Sequence, residues 1–194
     1  FRFQMRVWFL KETNSLCTGC GTGCNTVIGS RENTMYRYEP RENDAVNGPW
    51  MCDSGRLNYK WIGSENRLSE VKGASGWATA ITKISSKLEE APSGSVAVIG
   101  GARQTNEELY LLKKLANKLE AITDSSPRMG EGDHLLSCPD KNPNSTGSRL
   151  IGIAGEELGS QLKHIASGIE AGTIKTLIVF GDDVTKTGIS EALL

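Results

Sequence analysis

Apolar and polar side chains alternate through the first ten residues, with Phe1, Phe3, Met5, Val7 and Phe9 on one side and Arg2, Gln4 and Arg6 on the other. A period of two is that of a half-buried strand, so a strand is expected over residues 1–10. Residues 25–30 form a short apolar-bearing stretch, and a second strand-like run carries Met35, Arg37 and Tyr38 before Pro40. Between them Arg31, Glu32 and Asn33 have turn chemistry, which predicts a hairpin that brings Cys52 back toward the earlier cysteines. The period then changes. Trp77, Ile81, Ile84 and Leu88 recur at helical spacing, predicting an amphipathic helix over 76–90 whose apolar face seeks a core.

Ala91, Pro92, Ser93 and Gly94 break that helix, and residues 96–99 read as a strand too apolar to face water on either side. Gly100 and Gly101 end it. Thr105 with Glu108 forms a capping-box pattern, and Leu112, Leu115, Ala116 and Leu119 continue a helical stripe. Leu158, Leu162, Ile165 and Ile169 make a further stripe, and residues 175–180 a second apolar strand before Gly181. Strand, turn and helix in this order predict α/β architecture with parallel strands. Residues 123–149 are rich in Ser, Pro, Asn, Asp and Gly and are read as loop. The expected fold class is therefore mixed: a small, mostly β domain over residues 1–68, followed by a partial α/β domain with parallel strands over residues 69–194. A strand at residue 1 and a helix that opens at 190–194 as the chain stops lead us to expect an excised piece of a larger protein.

Composition narrows the function classes. The chain has 194 residues, 38% of them hydrophobic, which suits one or two compact globular units. Lys and Arg number 22 against 23 Asp and Glu, a net charge of -1, so there is no positive excess to neutralise a nucleic-acid backbone. No apolar run approaches the roughly 18 residues that span a bilayer, and direct membrane insertion is not expected.

The candidate chemistry lies in the cysteines. Four of the five, Cys17, Cys20, Cys24 and Cys52, follow the pattern C-x2-C-x3-C-x27-C. A disulfide framework would use an even count in a small secreted domain, and this chain shows no secretory signal. Structural zinc usually takes its ligands as two short-spaced pairs, whereas here the division is three and one. Three thiolates on a tight loop and a distant fourth match the ligand division of many [4Fe-4S] proteins. Thr18, Gly19, Gly21, Thr22 and Gly23 are small, so the backbone can wrap closely and aim amide N–H groups at cluster sulfurs. Zinc remains the alternative. Trp8, Trp50 and Trp61 are expected to pack around the loop and shield it from water.

The stretches FRFQMRVWFLK, CTGCGTGCN, YRYEPRENDAVN and WMCDSGR carry a resemblance. The chain resembles the segment after the ferredoxin-type domain in the G-type, large iron–sulfur subunit of bacterial NADH:quinone oxidoreductase. That subunit is itself similar to molybdopterin oxidoreductases such as formate dehydrogenase. The match is densest over residues 1–68. It implies an electron-transfer subunit carrying one [4Fe-4S] cluster on Cys17, Cys20, Cys24 and Cys52, with that cluster away from the main electron path and absent in some members. It also implies other subunits of a respiratory peripheral arm as partners, on the cytoplasmic side of the bacterial inner membrane. Pterin-bearing relatives read C-x-K-G-R after the fourth ligand; here Ser54 stands where that lysine would be, so molybdopterin is not expected. Two alternatives stay open: the start of a catalytic, formate dehydrogenase-like molybdopterin enzyme, and a zinc-stabilised structural module. The piece by itself is not expected to catalyse turnover, and because oxygen can destroy an exposed cluster it can also be apo.

The other reactive residues take plain readings. Cys138 is a free buried or loop thiol, His134 and His164 have no triad partner at a motif spacing, and Asp182 with Asp183 forms a solvated turn. The turn at residues 99–103 is neither a dinucleotide fingerprint nor a P-loop. No catalytic residue is assigned.

Overall fold

The computed structural model describes residues 4–194 and resolves into two compact units. One unit runs to Ser69 and takes up the chain again over Arg128–Pro143; the other comprises Glu70–Pro127 and Asn144–Leu194.

The first unit is built on a three-stranded antiparallel sheet, β1 (Lys11–Leu16), β2 (Asn25–Arg31) and β3 (Thr34–Pro40), in sequential order. The predicted hairpin is β2–β3. Its two turn residues, Glu32 and Asn33, both have positive φ, at 50° and 60°, the backbone that matches a tight hairpin to the twist of its strands. Gly29 marks a register shift in β2, and a Cβ there would stand 3.0 Å from both Arg37 Cγ and Leu10 Cδ1. The strand expected over residues 1–10 is not observed in its described part. Val7–Phe9 is a short 3-10 helix, and the strand begins only at Lys11. Among the described residues of this stretch none pairs with a strand. The Arg31 guanidinium lies instead over the Phe9 ring, 4.9 Å from its centroid, and Trp8 stays at the surface. Phe1 and Phe3 lie outside the described residues. The polar run of β1, by contrast, is strand because each residue from Lys11 to Leu16 pairs with β2.

After β3 the chain reaches the short helix α1 (Asp53–Leu57), capped by Cys52, whose sulfur accepts a hydrogen bond from the Gly55 N–H.

The second unit begins with α2 (Trp77–Glu89), which forms as predicted but buries none of its residues. Trp77, Ile81 and Ile84 are 75%, 61% and 55% exposed, and of the predicted face only Leu88 is half-buried, so most of it is left uncovered within the unit. Beyond it, β4 (Val96–Gly100) is flanked by β5 (Ile122–Asp124) and β6 (Thr176–Phe180), both parallel to it. All of β4 is buried, and its side chains divide between two cores. Val96 and Val98 pack with Leu109, Leu112 and Ala116 of α3 (Asn106–Lys118), while Ala97 and Ile99 pack with Leu162 and Ile165 of α5 (Leu162–Glu170). Helices on both faces are what a parallel sheet requires.

The predicted capping box is formed in full: Glu108 N–H donates to Thr105 Oγ1 at 3.3 Å and Thr105 N–H to Glu108 Oε2 at 2.8 Å. Two readings change. The stretch 123–149 has structure at both ends, with β5 reaching Asp124 and α4 covering Ser145–Ile151. Leu158 lies before α5 rather than in it, because Gly159 takes φ +84° and its amide, like that of Gln161, donates to the buried Asp124 carboxylate. Among the described residues no helix is long and apolar enough to cross a membrane.

Candidate metal centre

The loop between β1 and β2 holds the first three cysteines. Its ends are closed by the Cys17 N–H donating to Cys24 O at 2.8 Å, and inside it the Gly23 N–H donates to Cys20 O at 3.2 Å, with Gly23 at φ +63°. A left-handed backbone at that point suits glycine. Cys17, Cys20 and Cys24 are buried and Cys52 is half-buried; all four are free thiols.

Cys52 is returned to this loop by Asn47. Buried, Asn47 accepts the Asn25 N–H on Oδ1 at 2.9 Å, and its amide nitrogen donates to the carbonyls of Arg41, Gly48 and Trp50 at 3.3, 3.0 and 3.0 Å. One side chain thus ties the end of the cysteine loop to the segment that leads into Cys52. The Arg41 guanidinium donates to Asn25 Oδ1 beside it.

The sulfurs of Cys17 and Cys52 converge on Gly55: a Cβ there would lie 3.2 Å from the first and 3.3 Å from the second. The thiols also act on one another electrostatically. Burial pushes the Cys24 thiol up to about 11, and the charges of Cys17, Cys20 and Cys52 push in the same direction. Burial raises Cys17 too; the Gly19 N–H opposes it, and Cys20 and Cys52 add to it. Cys20 differs. Burial would raise it, but hydrogen bonds with the side chain and backbone of Thr22 and the backbone of Cys138, together with the Lys141 ammonium, hold it below the ordinary thiol value. Ionised together these sulfurs repel one another, and a cationic centre among them removes that penalty.

Of the small loop residues, Gly19 and Thr22 aim backbone amides at the sulfurs of Cys17 and Cys20, whereas the Gly21 N–H donates to Asp140 O at 2.7 Å and that of Gly23 to Cys20 O. The tryptophan shield is a correction as well. Trp8, Trp50 and Trp61 are 73%, 68% and 51% exposed, and the shell consists of Tyr38, Met51 and Tyr59, with Ile28, Met35 and Ile62 against it. The two tyrosine rings meet edge to face at 6.0 Å, and the Tyr59 hydroxyl donates to Tyr36 O. Trp61 has partners at the surface instead, with Nε1 donating to Asn58 O and the Arg67 guanidinium over its ring.

Cys138, which by sequence is only a free buried or loop thiol, comes to the site: a Cβ on Gly21 would stand 3.4 Å from its sulfur. His134 is exposed, and Asp183 accepts the Thr185 N–H in a surface turn. Among the described residues no group of three or more His, Cys, Asp or Glu side chains is drawn close enough to grip a metal ion. A cubane interposes its own iron and sulfide atoms between the thiolates that hold it. Buried soft donors, a Gly55 that leaves room between two sulfurs and an apolar shell fit the larger group.

Residues 10–60 match the family described as NADH-ubiquinone oxidoreductase NDSU1/NuoG-like, 4Fe-4S domain. The site thus lies in an iron–sulfur domain of the kind carried by oxidoreductase subunits. The chain is 29% identical over 180 residues to the G subunit of the NADH-quinone oxidoreductase of Rickettsia felis, covering 86% of this chain and 26% of that protein. It is 32% identical over 111 residues to the corresponding G subunit of Pseudomonas fluorescens, covering 57% of this chain and 12% of that one. It is 33% identical over 139 residues to the NADPH-Fe(3+) oxidoreductase subunit alpha of Geobacter sulfurreducens, covering 67% of this chain and 16% of that one. Residues 10–60 belong to the NuoG-like 4Fe-4S family, and the chain is a relative of the G subunits of NADH-quinone oxidoreductases. It spans between 12% and 26% of the length of these three relatives.

Proposed function

We propose that this chain is an electron-transfer module in which Cys17, Cys20, Cys24 and Cys52 hold one [4Fe-4S] cluster. When bound, such a cluster takes up and releases a single electron. The observation that carries the reading is the convergence of the Cys17 and Cys52 sulfurs on Gly55, with Cys24 in the same apolar shell and Cys20 buried on the same loop. The chain's own work is to hold and tune. Asn47 fixes the approach of the fourth cysteine, the Gly19 and Gly55 amides donate to the sulfurs of Cys17 and Cys52, and Tyr38, Met51 and Tyr59 exclude water. Burial and N–H to sulfur bonds are the means by which a protein sets the potential of such a cluster.

The redox domain spans residues 1–68 together with the returning segment Arg128–Pro143, and the parallel-stranded unit is part of an α/β domain of the molybdopterin-oxidoreductase type. Partners are other subunits of an NADH:quinone oxidoreductase peripheral arm, on the cytoplasmic side of a bacterial inner membrane. The pterin-dependent alternative is the weaker one. Ser54 Oγ lies 3.4 Å from Cys52 Sγ and brings no charge where the pterin enzymes place a lysine.

A reductive titration of the anaerobically reconstituted chain tests the proposal. Uptake of one electron per chain, reversed on reoxidation, is expected; a metal-loaded chain that takes up none would contradict it.

A further inference from the structure

Arg128–Pro143 returns to the first unit as a strap docked on the cysteine loop. The Gly21 N–H donates to Asp140 O at 2.7 Å, and the Thr22 hydroxyl donates to Leu136 O at 2.9 Å. The two segments pack closely enough that a Cβ on Gly21 would stand 3.5 Å from Asp140 Cβ and from Asn142 O. The strap is internally braced by Lys141, whose ammonium donates to Glu131 O at 2.6 Å, Cys138 O at 2.9 Å and Ser137 Oγ at 3.0 Å. None of these three acceptors carries a formal charge, so the bonds fix the ammonium in place without neutralising it. The ammonium is thereby held one residue from Asp140, whose carbonyl accepts the Gly21 N–H next to Cys20, and against the carbonyl of Cys138, so the strap sets a fixed positive charge beside the Cys20 end of the loop.

We propose that this strap is an electrostatic tuning element, and that Lys141 raises the reduction potential of the cluster from the Cys20 corner. The inference rests on the cluster assignment above. Reduction adds one electron to the thiolate-bound centre and breaks no bond, so a fixed positive charge nearby favours the reduced form. Its effect is greater in a buried site than in water. Lys141 acts through Cys20 and is a positioning residue.

The test is an EPR-monitored redox titration of the full chain, reconstituted anaerobically, as wild type, K141R, K141Q and K141M. Hydrogen exchange at the Gly21 and Lys141 amides reports whether the strap stays docked. K141R keeps the charge and is expected to titrate with the wild type. K141Q and K141M remove it and are expected to shift the reduction equilibrium about tenfold toward the oxidised form, a midpoint lower by about 59 mV for one electron, with the strap amides still protected. Neutral variants at the wild-type potential, or a K141R that shifts as they do, overturn the inference while leaving the cluster intact. A wild-type chain that loads no iron counts against the cluster itself and removes the inference with it.

Discussion

Gly55 is the position at which one added carbon would test the site most sharply. A Cβ there would meet the sulfurs of Cys17 and Cys52 and the Met51 methyl at 3.2, 3.3 and 3.3 Å. Free thiols can rotate away from such a contact, but sulfurs held on a cluster cannot. Gly55→Ala is therefore expected to change the stability of the apo chain by less than about 1 kcal/mol, and to lose most of the iron that the wild type retains under identical reconstitution. Equal iron per chain in both would show that the two sulfurs are not held at this point. The sequence makes the cysteines legible through their three-and-one spacing, yet Gly55 reads only as a turn glycine beside a surface arginine. Its role depends on two sulfurs that meet through tertiary structure. The tryptophans mislead for a similar reason. Large aromatic side chains near a metal motif suggest a shield, but the volume around the loop is filled by Tyr38 and Tyr59, leaving the indoles outside.

At the scale of elements, local signals that satisfy themselves are readable and those that need a distant partner are not. Thr105 and Glu108 cap each other's backbone, and Glu32 and Asn33 form the tight turn their side chains signal, so both are legible. The strap is not, because a Ser, Pro, Asn and Gly mixture has no period and its docking uses the carbonyls of Leu136 and Asp140.

Its shape depends in part on Asp133, whose Oδ1 accepts the amides of Leu135, Leu136 and Ser137 at 2.9, 2.7 and 2.8 Å. These bonds, that of Ser137 foremost, hold the Asp133 carboxyl down to about 2, from an ordinary value of 3.8. A depressed carboxylate contributes order that is fully present above its unfolded value and lost as pH falls through the folded one. The amide chemical shifts of these three residues are expected to titrate near pH 2; a midpoint near 3.8 would mean that the bonds are not made.

Helix α2 supports a different expectation. Ile81 and Ile84 are exposed, so replacing both with Glu is expected to change the stability of this chain by less than about 1 kcal/mol, whereas Ile165→Ala, wholly buried in the α5 core, costs about 2–5 kcal/mol. Chemical denaturation distinguishes the two. A large loss on the α2 substitutions would mean that this face packs against something after all.

For the molecule as a whole, each unit has its own core. Tyr38, Met51 and Tyr59 surround the cysteines in one, and the two faces of β4 are covered in the other. The parallel sheet is predictable because 96–99 and 175–180 are dominated by apolar residues, as strands covered on both faces must be. The inclusion of Arg128–Pro143 in the first unit is not, since nothing local marks where a chain will return.

The central claim is that four particular thiols hold one cubane. The most direct test is iron and acid-labile sulfide per chain after anaerobic reconstitution, with EPR of the reduced sample, for the wild type, Cys52→Ser and Cys138→Ser. The account predicts about four of each per chain in the wild type and in Cys138→Ser, with loss or degradation of the cluster in Cys52→Ser. Little iron with stoichiometric zinc in the wild type, or a cluster that survives Cys52→Ser and fails in Cys138→Ser, would contradict it.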